Sequence, residues 1–329
     1  MTSEAAVPAS TPVGRWNALR TTEIRNLGLV VVLIVLCVVG AATSENFLTT
    51  DNLRNILVSS SVIGVVTVGA TFVIIGGGID LSVGALVALA SVWATTGATQ
   101  SYGPVVMVLC AVLVGAGAGL VNGLLIAYGR LVPFIVTLAM LVSARGLAAR
   151  MADNRTQIVE QNGIKELATS DVLGVPALVL VLAAVAVAGW VLLNRTTFGR
   201  RTFAIGGNAE AARLAGIDVR RTTALLYLLS GTTCGIAAVM IMARTTTGSS
   251  THGNLYELDA IAAVIIGGTL LSGGRGTLVG SILGVLVFTT ITNIFILNNL
   301  ATETQNIAKG LIIVGAVLLQ RRTGREGTG

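Results

Sequence analysis

Hydrophobic residues run along this chain in long, nearly uninterrupted stretches rather than in the alternating pattern of a half-buried strand or the narrow stripe of a surface helix. Such stretches fall near 27–42, 56–75, 81–98, 105–128, 132–149, 175–194, 222–243, 259–271, 277–297 and 304–320. A helix needs about 20 residues to cross the hydrocarbon of a bilayer. The pattern therefore predicts an all-α, polytopic transmembrane helical bundle of about ten spans. Several stretches are short, 259–271 most of all, and predict re-entrant or broken helices that cross only part of the bilayer.

The flanking residues divide the chain into a flexible cytoplasmic N-terminal tail (1–26), a transmembrane domain (27–320) with a long cytoplasmic loop (195–221), and a cytoplasmic C-terminal tail (321–329). The first apolar stretch has basic residues before it and Ala41, Ala42 and Thr43 after it, as a signal peptide would. It is longer than a usual signal core of about 7–15 residues and many spans follow, so it reads as a retained first helix.

Composition agrees with a membrane interior. Charged residues make up 11% of the chain and hydrophobic ones 53%, whereas soluble domains carry about 25% charged residues. Forty glycines against 4% aromatic residues predict helices that pack through small residues rather than around bulky rings. The net charge of +6 raises nucleic acid as a partner, but no polar basic domain exists to bind it. Instead the basic residues sort by side. With the N-terminus inside, 14 of the 21 lysines and arginines fall in cytoplasmic segments, among them Arg15, Arg130, Arg200, Arg220 and Arg275. That asymmetry places both termini in the cytoplasm if the span count is even. The longest outer loop, about 150–174, is either a solvated connector or a docking surface for an external partner. Cys37, Cys110 and Cys234 lie in apolar stretches without CxxC spacing, and His252 is the lone histidine, so neither a metal site nor histidine-based catalysis is expected.

Three segments depart from the alternation of apolar span and short loop. In Gly76-Gly77-Gly78-Ile79-Asp80-Leu81-Ser82-Val83-Gly84, three glycines break a helix and Asp80 puts a carboxylate near membrane depth, where an unpaired charge is costly. The segment is either a tight turn at the membrane edge, with Asp80 capping a helix that starts near Leu81, or irregular backbone lining a cavity. A second cluster, Gly267 to Gly276, echoes the first: aligning Gly77 with Gly267 gives identity at five of eight positions. The echo is either coincidence in a glycine-rich chain or an internal repeat with paired broken helices. Asn122 and Asn293, with Thr137, Ser230, Thr233 and Thr292, are polar residues in apolar stretches that line a pathway or hydrogen-bond between helices.

The third segment is in the cytoplasmic loop. Asn208 is a cap residue, Ala209 to Ala215 are good helix formers and Gly216 is a stop, so a two-turn helix is predicted. Ala211, Leu214, Ala215 and Ile217 form its apolar stripe, with Glu210 and Arg213 elsewhere on its surface. A short amphipathic helix alone in a loop lies on the membrane or inserts into a groove of a soluble partner; the second reading fits better, with Ala212 expected to face that groove.

At these three segments the chain resembles the permease subunits of bacterial ABC importers for ribose, xylose, galactose and related solutes. The likeness is carried by Gly77 to Gly84, Gly207 to Ile217 and Ala260 to Gly284, in order and with plausible spacing over nearly the whole chain beyond the N-terminal tail. Glu210-Ala211-Ala212 followed by Gly216 is similar to the EAA-x-x-x-G coupling signature of importer permeases, without the hydrophobic tail of that signature. The resemblance implies a multi-pass protein of the bacterial cytoplasmic membrane that moves a small sugar or sugar-like solute. It also implies a second permease copy or related chain, two cytoplasmic ABC ATPase subunits and an external solute-binding protein. Asn208, Glu210, Ala211, Ala212, Arg213, Leu214 and Gly216 would form the ATPase-coupling element, and Gly77, Gly78, Asp80, Ser82, Asn122 and Asn293 are the broken-helix and pathway candidates. No G-x-x-x-x-G-K-[ST] phosphate loop occurs, so no cofactor and no catalytic residue are expected in this chain, and ATP hydrolysis falls to partner subunits. An ion-coupled secondary transporter is the alternative, with Arg145, Asp259 and Lys309 as further intramembrane charges.

Overall fold

The computed structural model describes residues 13–325. Its helices are α1 Val13–Thr43, α2 Thr50–Ile75, α3 Val83–Ala94, α4 Gly97–Gln100, α5 Pro104–Ala127, α6 Pro133–Met151, α7 Asn162–Thr169, α8 Ala177–Arg195, α9 Thr197–Gly207, α10 Ala209–Leu214, α11 Val219–Thr245, α12 Tyr256–Ile266, α13 Leu278–Leu297 and α14 Thr302–Arg325. Four two-residue strands, β1 Gln157–Ile158, β2 Asp171–Val172, β3 Val175–Pro176 and β4 Thr247–Gly248, pair antiparallel as β1 with β4 and β2 with β3.

Each apolar stretch of the sequence maps onto one helix: α1, α2, α3, α5, α6, α8, α11, α12, α13 and α14. Among the described residues, seven helices are long and apolar enough to cross a membrane, namely α1, α2, α5, α6, α8, α11 and α13. The short stretch 259–271 yields α12, of 11 residues. The stretch 81–98 yields only the 12 residues of α3, because residues 78–82 are irregular and the helix starts only after its cap position, Ser82. At the other end Thr95 turns its hydroxyl onto Ser91 O and Val92 O. Helix α1 begins at Val13, so half of the expected N-terminal tail is helical; between Arg15 and Leu27 no glycine or proline interrupts it. Helix α14 likewise runs to Arg325 through part of the expected C-terminal tail. Residues 1–12 and 326–329 of those tails lie outside the described residues.

Helices α2 and α11 are the centre of the bundle: 83% and 72% of their apolar windows are buried, against 11–44% for the other five long helices. They run antiparallel, Gly69 against Ser230 and Gly76 against Leu226. Close approach through small residues is the packing device. Gly115, Gly119 and Gly123, one helical face of α5, lie against the backbone of α11 at Gly231, Gly235 and Ala224, as expected where side-chain bulk cannot drive association in lipid.

The packing pattern is two-fold. Helix α3 rests on α11, α5 and α6, while α12 rests on α2, α13 and α14; α5 packs on α11 as α13 packs on α2. The units α2–α3–α5–α6 and α11–α12–α13–α14 are therefore an internal repeat. In it α12 is the counterpart of α3, not of α2, which corrects the glycine echo. Gly76 and Gly267 end α2 and α12, followed by Gly77 at φ +83° and Gly268 at φ +79°. In both turns the next amide reaches back five residues, Gly78 N to Val73 O and Thr269 N to Val264 O. The two clusters are one helix-ending motif used twice, one residue out of the alignment that maximises identity.

Residues 246–255 enter the bundle along α3 as a strip of successive turns after the short strand β4. The strip starts at the β1–β4 pair, passes His252, whose Nδ1 lies 3.2 Å from Ser91 Oγ, and reaches Gly84 at Gly253. Arg145 holds it by donating to Ser250 O at 2.7 Å and His252 O at 2.8 Å. The half-helices α3 and α12 thus meet at their N-terminal ends, with the Glu257 carboxylate over Gly84.

Candidate functional site

Helix α10 is built as its sequence predicts. Asn208 caps it, its side chain accepting the Ala211 amide at 2.9 Å. Gly216, at φ +80°, ends it with the Gly216 N to Arg213 O and Ile217 N to Ala212 O bonds of a helix stop. Arg213 clamps Glu210 through two hydrogen bonds, of 2.5 and 3.0 Å. The hydrogen bond from Arg213, and then its charge, hold the Glu210 carboxyl below its ordinary pKa, so the pair is ionised throughout the neutral range.

The apolar stripe of α10 faces away from the chain: Ala211, Leu214 and Ala215 are exposed, Leu214 by 75%. Ala212 is the exception. It is 4% exposed, on the side where α10 packs on α9 and α11, which corrects the expectation that it faces an external groove. At period 3.6, position 212 lies about 160° from 214 when measured the short way round, so one six-residue helix cannot present both.

The break between α2 and α3 is exposed at Gly77 and buried at Asp80 and Ser82. Asp80, Ser82, Asn122 and Ser230 are at most 4% exposed. Asp80 Oδ1 accepts the Ser82 amide at 3.0 Å and the Ser82 hydroxyl at 2.6 Å, while Oδ2 accepts the Ser230 hydroxyl at 2.8 Å. Asn122 Nδ2 donates to Ser82 Oγ at 2.9 Å, and Tyr227 donates to Ile79 O at 3.3 Å. Asp80 thus serves the start of α3, as a cap would, two residues before the helix's own cap position, and also ties the break to α5 and α11. Gly77 and Gly78 lie at one end of this segment and line a cavity of about 490 Å³ with Arg130, Asn208, Arg220 and Tyr227.

Asn293 is elsewhere. It forms a reciprocal amide pair with Asn52 of α2, at 2.7 and 3.1 Å, and so joins α13 to α2 rather than to the break. Asn52 escaped sequence reading because it stands at the polar start of a span, where asparagine is unremarked. Ser230 was legible only as one hydroxyl among many. Of the other intramembrane charges, Lys309 pairs with Asp259 at 3.2 Å and lies over the Phe288 ring, and Arg145 is spent on two carbonyls. Each has an internal partner, as structural charges in lipid must. Among the described residues no group of three or more His, Cys, Asp or Glu side chains could hold a metal ion.

Comparison with known proteins gives one consistent likeness. The family model described as "Branched-chain amino acid transport system / permease component" matches residues 52–317. The ribose import permease of Bacillus subtilis is 40% identical over 302 residues, covering 91% of this chain and 93% of that protein. The ribose import permease of Escherichia coli K12 is 37% identical over 299 residues, covering 89% and 92%. An L-arabinose ABC transporter permease of Azospirillum brasilense is 34% identical over 317 residues, covering 96% and 92%. No solved structure gives a significant match.

Proposed function

This chain belongs to the family of transport-system permease components that its sequence resembles, and on that premise we propose that it carries a small sugar of the pentose class through the bacterial cytoplasmic membrane, driven at α10 by separate ABC ATPase subunits. The chain is a transport subunit, not an enzyme. The sugar class rests on relatives named for ribose and arabinose. The site of drive rests on one observation: a capped helix that leaves its apolar stripe, Leu214 above all, unpartnered at the surface. Insertion of that stripe into an ATPase groove buries it.

The finer arrangement follows from the same reading. Ten helical segments, α3 and α12 being half-length, put both termini and the basic loops in the cytoplasm. A second permease copy completes the pathway, with lipid around the exposed faces of α1, α5 and α6. A solute-binding protein docks outside, where Arg54 grips Asp171 through two 2.6 Å hydrogen bonds and so fixes the β2–β3 hairpin, whose tip residue Leu173 is 100% exposed. Gly77, Gly78, Asp80, Ser82 and Asn122 hold the broken segment; Asn293 supports the helix pair beside it.

Replacement of Leu214 by Asp tests the drive. Uptake by the complete transporter should fall at least tenfold while the amount of complex in the membrane is unchanged. Normal uptake by that variant contradicts the assignment of α10.

A further inference from the structure

Helix α10 is six residues long and cannot move the bundle by itself; the question is what it pushes on. It is joined without a loop to α9, the two sharing Asn208 as the boundary residue. The last turn of α9 brings Gly206 to a point where three backbones meet with no side chain between them. One is the end of α2, at Ile75 to Gly77, where the chain leaves for the broken segment and α3. Another is the α12–α13 connection at Gly273 and Gly274. A Cβ on Gly206 would collide with Ile75 O and with Gly274 N, and those two atoms are themselves bonded, Gly274 N donating to Ile75 O at 2.9 Å. A Cβ on Gly273 would strike Gly77 Cα, and one on Gly274 would strike Gly207 Cα.

Ile75 O is one of the terminal carbonyls that a helix cannot satisfy internally, and here a donor from the other half of the internal repeat satisfies it. The junction thus ties α9 to both repeat units, at the α2–α3 break of one and the α12–α13 connection of the other. Contacts of backbone on backbone have no rotamers to absorb displacement, so a shift of α9 is passed on rather than lost in side-chain motion.

We propose that α9 and α10 form one lever whose tip, Gly206, is wedged between the end of α2 and the α12–α13 connection, so that it transmits the ATPase stroke to both halves of the repeat at once. This rests on the reading of α10 as the driven element and adds Gly206, Gly273 and Gly274 as positioning residues. The neighbouring Gly207 supplies a control, because a Cβ there meets nothing within 4 Å and its φ lies outside the left-handed region.

The test uses the complete transporter in proteoliposomes, with ATP hydrolysis and solute uptake measured on the same preparation. Gly206→Ala should lower uptake at least tenfold with hydrolysis held within twofold, and Gly207→Ala should leave both within twofold. Normal uptake by Gly206→Ala, or equal losses in the two variants, overturns the proposal. Should Gly206→Ala not assemble, a Gly207→Cys/Ser272→Cys pair bridged by a short, reducible bifunctional reagent decides the matter. Lever and connection travel together, so the bridged complex should keep its uptake; uptake lost on bridging and regained on reduction overturns the proposal. Leu214→Asp run in parallel separates the two readings. If it uncouples and Gly206→Ala does not, the lever tip alone is wrong; if neither does, the assignment of α10 has failed.

Discussion

Asp80 carries the largest energetic consequence at the scale of single residues. Its two carboxylate oxygens accept three hydrogen bonds from Ser82 and Ser230, all buried, and a buried donor left without an acceptor costs about 1–3 kcal/mol. Asp80→Ala should destabilise the protein by about 2–4 kcal/mol, summing partial losses over those donors, readable as a lower unfolding midpoint in detergent. Asp80→Asn keeps one carbonyl for Ser82 and leaves Ser230 free to accept instead of donate, so its loss should be smaller. Equal stability of Asp80→Ala and the parent protein contradicts the network. The Asn52–Asn293 pair invites a different measurement. Either asparagine replaced by leucine leaves its partner's amide, buried in Asn52 and half-buried in Asn293, without its pair, and should cost about 1–3 kcal/mol. The double replacement removes both polar groups and should recover most of that loss, giving a coupling energy that an uncoupled pair would lack. The sequence marked Asp80 and Asn293 because polar groups in apolar stretches are conspicuous; their partners were not legible, since nothing local says which helix a serine or an asparagine will face.

At the scale of elements, local chemistry was readable where it is self-contained. Asn208 and Gly216 define α10 from sequence because caps and stops act over a few residues. The inward turn of Ala212 was hidden, because alanine is compatible with either side of a short helix and only the docking on α9 and α11 decides. The cap makes a direct prediction. Asn208→Ala removes the acceptor for the Ala211 amide and should cost about 1 kcal/mol of local helix stability. Faster amide exchange confined to residues 209–215 should report it, and unchanged exchange there would show the cap to be idle. The half-helices tell a complementary story. The short stretch 259–271 announced α12 by its length, whereas 81–98 looked long enough to span and is not, since the irregular approach that ends at Ser82 and the turn at Thr95 lie outside what apolar counting sees.

At the scale of the whole molecule, ten apolar stretches became ten helices, yet their arrangement depended on contacts between residues far apart in sequence. The internal repeat relates α2–α3–α5–α6 to α11–α12–α13–α14 by packing, and its glycine echo in the sequence pointed at the wrong pair of elements. The two helix stops share paired glycines one residue out of that register; the true counterparts α3 and α12 share a role, not a motif. The glycine junction at Gly206, Gly273 and Gly274 was equally silent, because glycines that serve close approach look the same in sequence as glycines that serve a turn. What does follow from the whole is a division of labour. The bundle holds buried polar networks and paired charges, no phosphate loop occurs in its sequence, and the unpartnered surface of α10 is the place for an outside force.

Reconstitution tests that division most directly. With the chain in sealed liposomes, together with its ATPase subunits and solute-binding protein, labelled pentose should accumulate against its gradient when ATP is supplied on the cytoplasmic side. With the ATPase omitted and a proton or sodium gradient imposed instead, no accumulation should occur. Uphill uptake under the second condition would contradict the account.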